Sequence, residues 1–192
     1  MTPEAIALIE FASIPAGTRA VDAIVKKAPV KLERAGTLQP GMFAVLFSGD
    51  VASVSESYRE ALAVGGGAVR DKMMLPHVEP TVYRAVHGHV GQFRGDTLGV
   101  LETCSMAGTI EAADAAVKGA AVSVVRIRLG DELGGKGLAH FIGEQHDVEA
   151  ALEIGVARIA GANRTVDCSI IPRVDAEVLG LLSRGARFWE AG

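Results

Sequence analysis

Aromatic residues make up only 5% of this 192-residue chain, and it has a single tryptophan. Its cores must therefore be built from Ala, Val, Ile and Leu, within the 49% of residues that are hydrophobic. There is no run of Lys or Arg, and the net charge is −4. That argues against nucleic acid as the main partner, because such a surface leaves a basic footprint. No apolar run reaches the ~18 residues of a membrane span. The N-terminal stretch MTPEAIALIEF lacks a basic region and a cleavage pattern, so it is not read as a signal peptide. The two cysteines, Cys104 and Cys168, fall in apolar or half-apolar strand patterns and are expected as buried, reduced thiols of a cytosolic protein. No Cys-x-x-Cys spacing exists, so no metal or cluster site within one chain is expected. His77, His87, His89, His140 and His146 show no metal-ligand spacing either, and His87 and His89 are expected to be solvated in a glycine-bearing linker.

What the chain does have is an internal repeat. Ala7–Val30 and Gly99–Val122 each read as a strand, a tight turn and an amphipathic helix. Sliding one onto the other by about 92 residues aligns Glu10 with Glu102, Ser13 with Ser105, Asp22 with Asp114 and Lys26 with Lys118. The match continues through Ser48-Gly49-Asp50-Val51 against Ile142-Gly143-Glu144-Gln145, and through Leu75-Pro76 against Ile171-Pro172. The offset grows at two loops, where insertions cost least. Each half is large enough to close its own core, so domains are expected at 1–90 and 96–192 with a linker at about 87–96.

Periodicity predicts the elements. In the first half these are strands at Ile6–Phe11, Val30–Leu38, Met42–Phe47 and Val69–Leu75, and helices from near Ser13 to Lys27, at Ser53–Val64 and at Thr81–Val86. Gln39-Pro40-Gly41 is a turn and Gly65-Gly66-Gly67 a helix stop. In the second half they are strands at Leu98–Thr103, Val122–Leu129, Leu138–Ile142 and Thr165–Ile171, and helices at Met106–Lys118, Asp147–Ala160 and Ala176–Leu182. Phe188 and Trp189 are expected to pin the tail. The fold class is α+β, two tandem ferredoxin-like β-α-β-β-α-β domains with a small helix appended to each.

A catalytic set is missing. The loop GDELGGKG (Gly130–Gly137) lacks the Gly-x-x-x-x-Gly-Lys-Ser/Thr frame and sits between strands, with no helix N-terminus behind it. No nucleophile, base and orienting group come together at any recognisable spacing. The plain reading of Asp22–Lys26 and Asp114–Lys118 is a helix salt bridge worth ~0.2–0.5 kcal/mol. An enzyme is not expected.

The pattern Leu-Glu-Thr-x-Ser-x-Ala-x-x-Ile-Glu-Ala-Ala-Asp-Ala-x-Val-Lys over Leu101–Lys118 resembles the signature of bacterial microcompartment shell proteins. The helix starts at Gly49-Asp50-Val51 and Gly143-Glu144-Gln145 are similar to that family too. The likeness covers nearly the whole chain twice, more strongly in the second half. It implies the tandem-domain class with unpermuted element order, of the type found in propanediol-utilisation compartments. The implied role is a structural shell tile in the bacterial cytoplasm: a homotrimer that mimics a hexamer, meets other shell proteins at its edges and passes small metabolites through a central pore. The resemblance places pore-lining residues at Thr37, Leu38, Gln39, Pro40 and Gly41, and at Asp131, Glu132, Leu133, Gly134, Gly135 and Lys136. It places tile-edge residues at Lys26, Lys118 and Arg173, with His77 standing where a second arginine would be.

Some tandem relatives carry a cysteine before the Pro-Gly of the first pore loop, and three copies of it hold an iron–sulfur cluster. Gln39 stands there in this chain, and an amide is a poor cluster ligand, so no cofactor and no metal are expected. A rival reading is a tandem ferredoxin-like small-molecule sensor, which would be a discrete oligomer with a saturable ligand.

Overall fold

A computed structural model of the chain describes residues 2–130, 132–162 and 164–185. The elements run β1 (Ala5–Phe11), α1 (Ile14–Lys27), β2 (Lys31–Leu38), β3 (Met42–Gly49), α2 (Val51–Gly65), β4 (Val69–Pro76), α3 (Pro80–Val86), β5 (Thr97–Thr103), α4 (Met106–Gly119), β6 (Ser123–Leu129), β7 (Gly137–Gly143), α5 (Gln145–Ile159), β8 (Thr165–Ile171) and α6 (Ala176–Arg184). They build two antiparallel four-stranded sheets, in the orders β2-β3-β1-β4 and β6-β7-β5-β8. The expected β-α-β-β-α-β order is present twice.

Local chemistry explains the boundaries. Ser13 caps α1 by accepting from the Ala16 amide, and Pro15 occupies the first turn, where its missing N–H costs nothing. Ser105 caps α4 in the same way through Gly108. Helix α2 starts two residues before the expected Ser53, because the Asp50 carboxylate accepts from the Ser53 amide at 2.8 Å and makes Asp50 the cap. Gly66, at φ 51°, turns the chain out of α2 while its N–H bonds the Leu62 carbonyl. Helix α5 likewise begins at Gln145, before the expected Asp147.

All seven residues of β1 are buried, and their alternation divides them between two covers. Ala5, Ala7, Ile9 and Phe11 pack with Ala20, Ile24, Val54 and Ala61 under α1 and α2. Ile6 and Leu8 face the other way, into a cluster with Val82, Ala85 and Val86 of α3. That second cluster runs without a break into the core of the second half, through Met106, Ile110, Val124 and Phe141. The two repeats therefore share apolar core across their junction.

Two expectations are corrected. Cys168 is exposed and Cys104, just past the end of β5, is half-buried, so neither is a core thiol in this chain. On the edge strand β8, Asp167, Cys168 and Ser169 are all open to solvent, and the apolar pattern there did not mean burial within one chain. His87 is not a solvated linker residue. Its ring lies 4.4 Å from that of Tyr83, its Nδ1 is 2.8 Å from the Tyr83 carbonyl, and its Nε2 is 3.5 Å from Glu33. Phe188 and Trp189 lie outside the described residues.

Candidate functional site

The candidate pore loops are the two β-turns that join the second and third strands of each repeat. In the first, Gly41 takes φ 82°, and its amide closes the turn on the Leu38 carbonyl at 3.0 Å. Thr37, Gln39, Pro40 and Gly41 are exposed and Leu38 is half-buried. The second loop is tied by its own backbone: the amides of Leu133 and Gly135 both donate to the Gly130 carbonyl at 3.2 Å, and Gly130 N–H donates to the Lys136 carbonyl at 2.8 Å. Glu132 and Lys136 point outward, Lys136 pairing with Glu102 at 2.6 Å and Glu132 lying 3.6 Å from Arg128. Asp131 lies outside the described residues. The fold brings the two loops together. A Cβ on Gly135 would stand 2.7 Å from the Met42 methyl and 3.7 Å from the Gln39 carbonyl oxygen, and φ of 82° already favours glycine there.

The candidate edge residues fall at equivalent places in the two repeats. His77 and Arg173 both follow the proline or isoleucine-proline that ends the fourth strand, and both hold a left-handed backbone, at φ 55° and 50°. Their helical partners differ. Lys118 pairs with Asp114 at 2.6 Å and also donates to the His77 carbonyl at 2.9 Å, while Asp114 accepts from the Glu79 amide at 2.8 Å. Lys118 thus ties α4 of the second repeat to the β4–α3 turn of the first. Lys26 pairs with Asp22 at 2.6 Å, but both side chains are mostly exposed, at 71% and 62%.

Two polar sets at the junction were not anticipated from sequence. Arg164 donates to Glu111 at 2.6 Å, to Asp71 and to the Lys72 carbonyl, and Arg158 holds the other Glu111 oxygen at 2.7 Å. Glu10, fully buried on β1, accepts from the Ala107 amide at 2.8 Å through one oxygen, and its other oxygen has no partner. Burial raises its pKa to about 7, and the nearby Asp71 adds to the effect. The available signal was a carboxylate in the middle of an apolar strand, at the same place in both repeats. For Glu102 of the second repeat, the counterpart of Ala107 is Pro15 of the first repeat, which has no amide N–H to give, and Glu102 pairs with Lys136 instead.

Among the described residues there is no group of three or more His, Cys, Asp or Glu side chains arranged to hold a metal ion. No described helix is long and apolar enough to cross a membrane.

Two sheets in tandem, each flanked by paired helices and joined by a continuous core, define a pair of duplicated ferredoxin-like domains. The bacterial microcompartment (BMC) domain matches the chain twice, over residues 5–78 and 97–174, and the chain belongs to that family of shell proteins. It is similar to the bacterial microcompartment shell protein PduT of Citrobacter freundii, with 32% identity over 170 residues, covering 88% of this chain and 92% of the relative. Among solved structures it resembles a microcompartment protein from Desulfitobacterium hafniense DCB, with a TM-score of 0.81 and 35% identity over 93% of this chain and 99% of the other. It also resembles the fused permuted hexameric shell protein MSM0275 of the RMM microcompartment, with a TM-score of 0.61 and 26% identity over 82% and 84% of the two chains. The chain is a structural shell protein and not an enzyme.

Proposed function

We propose that the chain is a shell tile that closes into a homotrimer with six similar domains around a central pore. The observation that carries this reading is the unequal burial of equivalent faces. Val82 and Ala85 of α3 are at most 2% exposed, whereas their counterparts Val178 and Leu181 of α6 are 38% and 49% exposed. On the receiving side, Met106 of α4 is 5% exposed, and its counterpart Ile14 of α1 is 39% exposed, with Val25 further along at 48%. One junction is thus made inside the chain, and one matching pair of apolar faces is left uncovered. Docking α6 of one copy on the α1 face of the next repeats the internal junction head to tail, and such heterologous contacts close into rings. The solved fused permuted shell protein is hexameric, and three copies of a two-domain chain supply the same six domains.

In this ring, Lys26 takes the role that Lys118 has inside the chain, reaching the turn around Arg173 of the partner subunit. The domains are taken as 1–90 and 96–192 with the linker at 87–96. Thr37–Gly41 and residues 131–136 line the pore, through which small polar metabolites pass. Lys26, Lys118, His77 and Arg173 lie along tile edges that meet other shell proteins. The tile works in the shell of a microcompartment in the bacterial cytoplasm.

Sedimentation velocity tests the assembly. The wild type is expected as a trimer at micromolar concentration, and Leu181→Glu as a folded monomer, because the Leu181 side chain is 49% exposed and belongs to neither core cluster of the described residues. A wild-type monomer or dimer, or a trimer unchanged by Leu181→Glu, would overturn the reading.

A further inference from the structure

A crevice of about 230 Å³ opens where the end of α3 meets β6, lined by Arg34, Val86 and Gly88 of the first repeat and by Arg126, Ile127, Arg128 and Leu129 of the second. Its volume is below the ~300–1,000 Å³ of sites for drug-sized ligands, so its occupant must be small. Three arginines line it. Among the described residues, Glu132 lies 3.6 Å from Arg128 and is itself 54% exposed.

The repeat explains why one of these arginines is available. Arg34 and Arg126 are counterparts: each follows a bulge in its edge strand and sits opposite the same position of the next strand, Leu46 or His140. Arg126 donates to the carbonyls of Leu182 and Ser183 at the end of α6. Helix α3 is two residues shorter than α6, and the Arg84 and Ala85 carbonyls at its end already accept from the amides of His87, Gly88 and His89. Arg34 therefore has no helix end to cap, and among the described residues no hydrogen bond or ion pair engages it. The positive field beneath the crevice is felt by buried His140, whose Nδ1 has no partner and whose neutral form is favoured by burial and by Arg126 and Arg128.

We propose that the Arg34–Arg126–Arg128 crevice binds a small oxyanion, the phosphate or carboxylate group of a metabolite. Arginine forks suit planar, two-point recognition of either group. The site lies within one chain and does not depend on ring closure.

Isothermal titration of the intact protein at low ionic strength, with inorganic phosphate and separately with succinate, tests the proposal. Saturable binding of one anion per chain is expected, weakened at least tenfold by Arg34→Gln and by Arg128→Gln, partly kept by Arg34→Lys, and unchanged by Lys27→Gln as a surface control. No hydrogen bond or ion pair among the described residues engages the Arg34 side chain, so Arg34→Gln is expected to keep the wild-type circular dichroism and melting temperature. Binding of phosphate alone assigns the site to phosphorylated ligands, and binding of succinate alone assigns it to carboxylates. Absence of saturable binding of both anions, or equal binding by Arg34→Gln, would overturn the proposal.

Discussion

Glu10 and His140 are buried titratable groups whose effects on stability oppose one another. Burial holds the Glu10 pKa at about 7, above its usual 4.5, so its neutral form is favoured in the fold. That contribution is fully present below pH 4.5 and is lost as pH rises through 7. Burial, with Arg126 and Arg128 close by, holds the His140 pKa at about 4, below its usual 6.5. That contribution is present above pH 6.5 and is lost as pH falls through 4. Between pH 4.5 and 6.5 the two slopes largely cancel, and the wild type is expected to show a flat stability profile there. Each single variant exposes the other group. Glu10→Gln should gain roughly 2–4 kcal/mol as pH rises from 4 to 6.5. His140→Leu, which installs the residue that the first repeat has in Leu46, should lose a similar amount as pH rises from 4.5 to 7. Urea unfolding across that pH range measures both. Parallel profiles for the two variants would contradict the assignment.

At the scale of elements, the junction between repeats depends on a few contacts outside the apolar core. Arg164 sits with its side chain 14% exposed between Asp71 of β4 and Glu111 of α4. Arg164→Met removes the cation and leaves Asp71 without it, while Glu111 keeps Arg158. A loss of about 2–4 kcal/mol is expected by denaturant unfolding, below the cost of stranding a fully buried charge. The linker is held just as closely. Gly91 donates to the Val125 carbonyl at 2.7 Å, and a Cβ on Gly91 would overlap the Val124 carbonyl oxygen. Gly91→Ala must push the linker off β6, and the midpoint of urea unfolding should drop by an amount equivalent to at least ~2 kcal/mol. Gly88→Ala is the comparison: no atom lies within 4 Å of its added Cβ, so only the strain of φ 88° remains.

At the scale of the whole molecule, one apolar junction is closed inside the chain, and the equivalent faces of α6 and α1 are exposed. If the open faces meet, Lys26→Ala should weaken the trimer, since Lys26 would then bond across subunits as Lys118 bonds within one. The same change in a protein that stays monomeric would cost within ~1 kcal/mol, as expected for an exposed helix pair. Trimer dissociation measured by dilution sedimentation separates the two outcomes. Electron microscopy of the purified protein then reads whether trimers tile into sheets.

The sequence alone determined the duplication, the order of elements and the family, because these rest on local periodicity, capping chemistry and a motif that spans one strand, turn and helix. Ser13, Ser105, Asp50 and Gly66 declare helix ends through bonds to residues three or four positions away, and such contacts can be read from a string. The sequence also aligned Lys26 with Lys118 and Glu10 with Glu102 as equals. Only the tertiary structure decided that they are not equal: Lys118 meets the His77 carbonyl of the other repeat, Glu10 meets the Ala107 amide, and among the described residues Lys26 and Glu102 pair only within their own repeats, with Asp22 and Lys136. It also decided that Cys168 is exposed, that His87 lies 3.5 Å from Glu33, and that Arg34, Arg126 and Arg128 share one crevice. Each of these depends on atoms brought together from positions far apart in the chain or on opposite sides of a sheet, and a repeat read in one dimension holds no information about which of its two copies will find a neighbour.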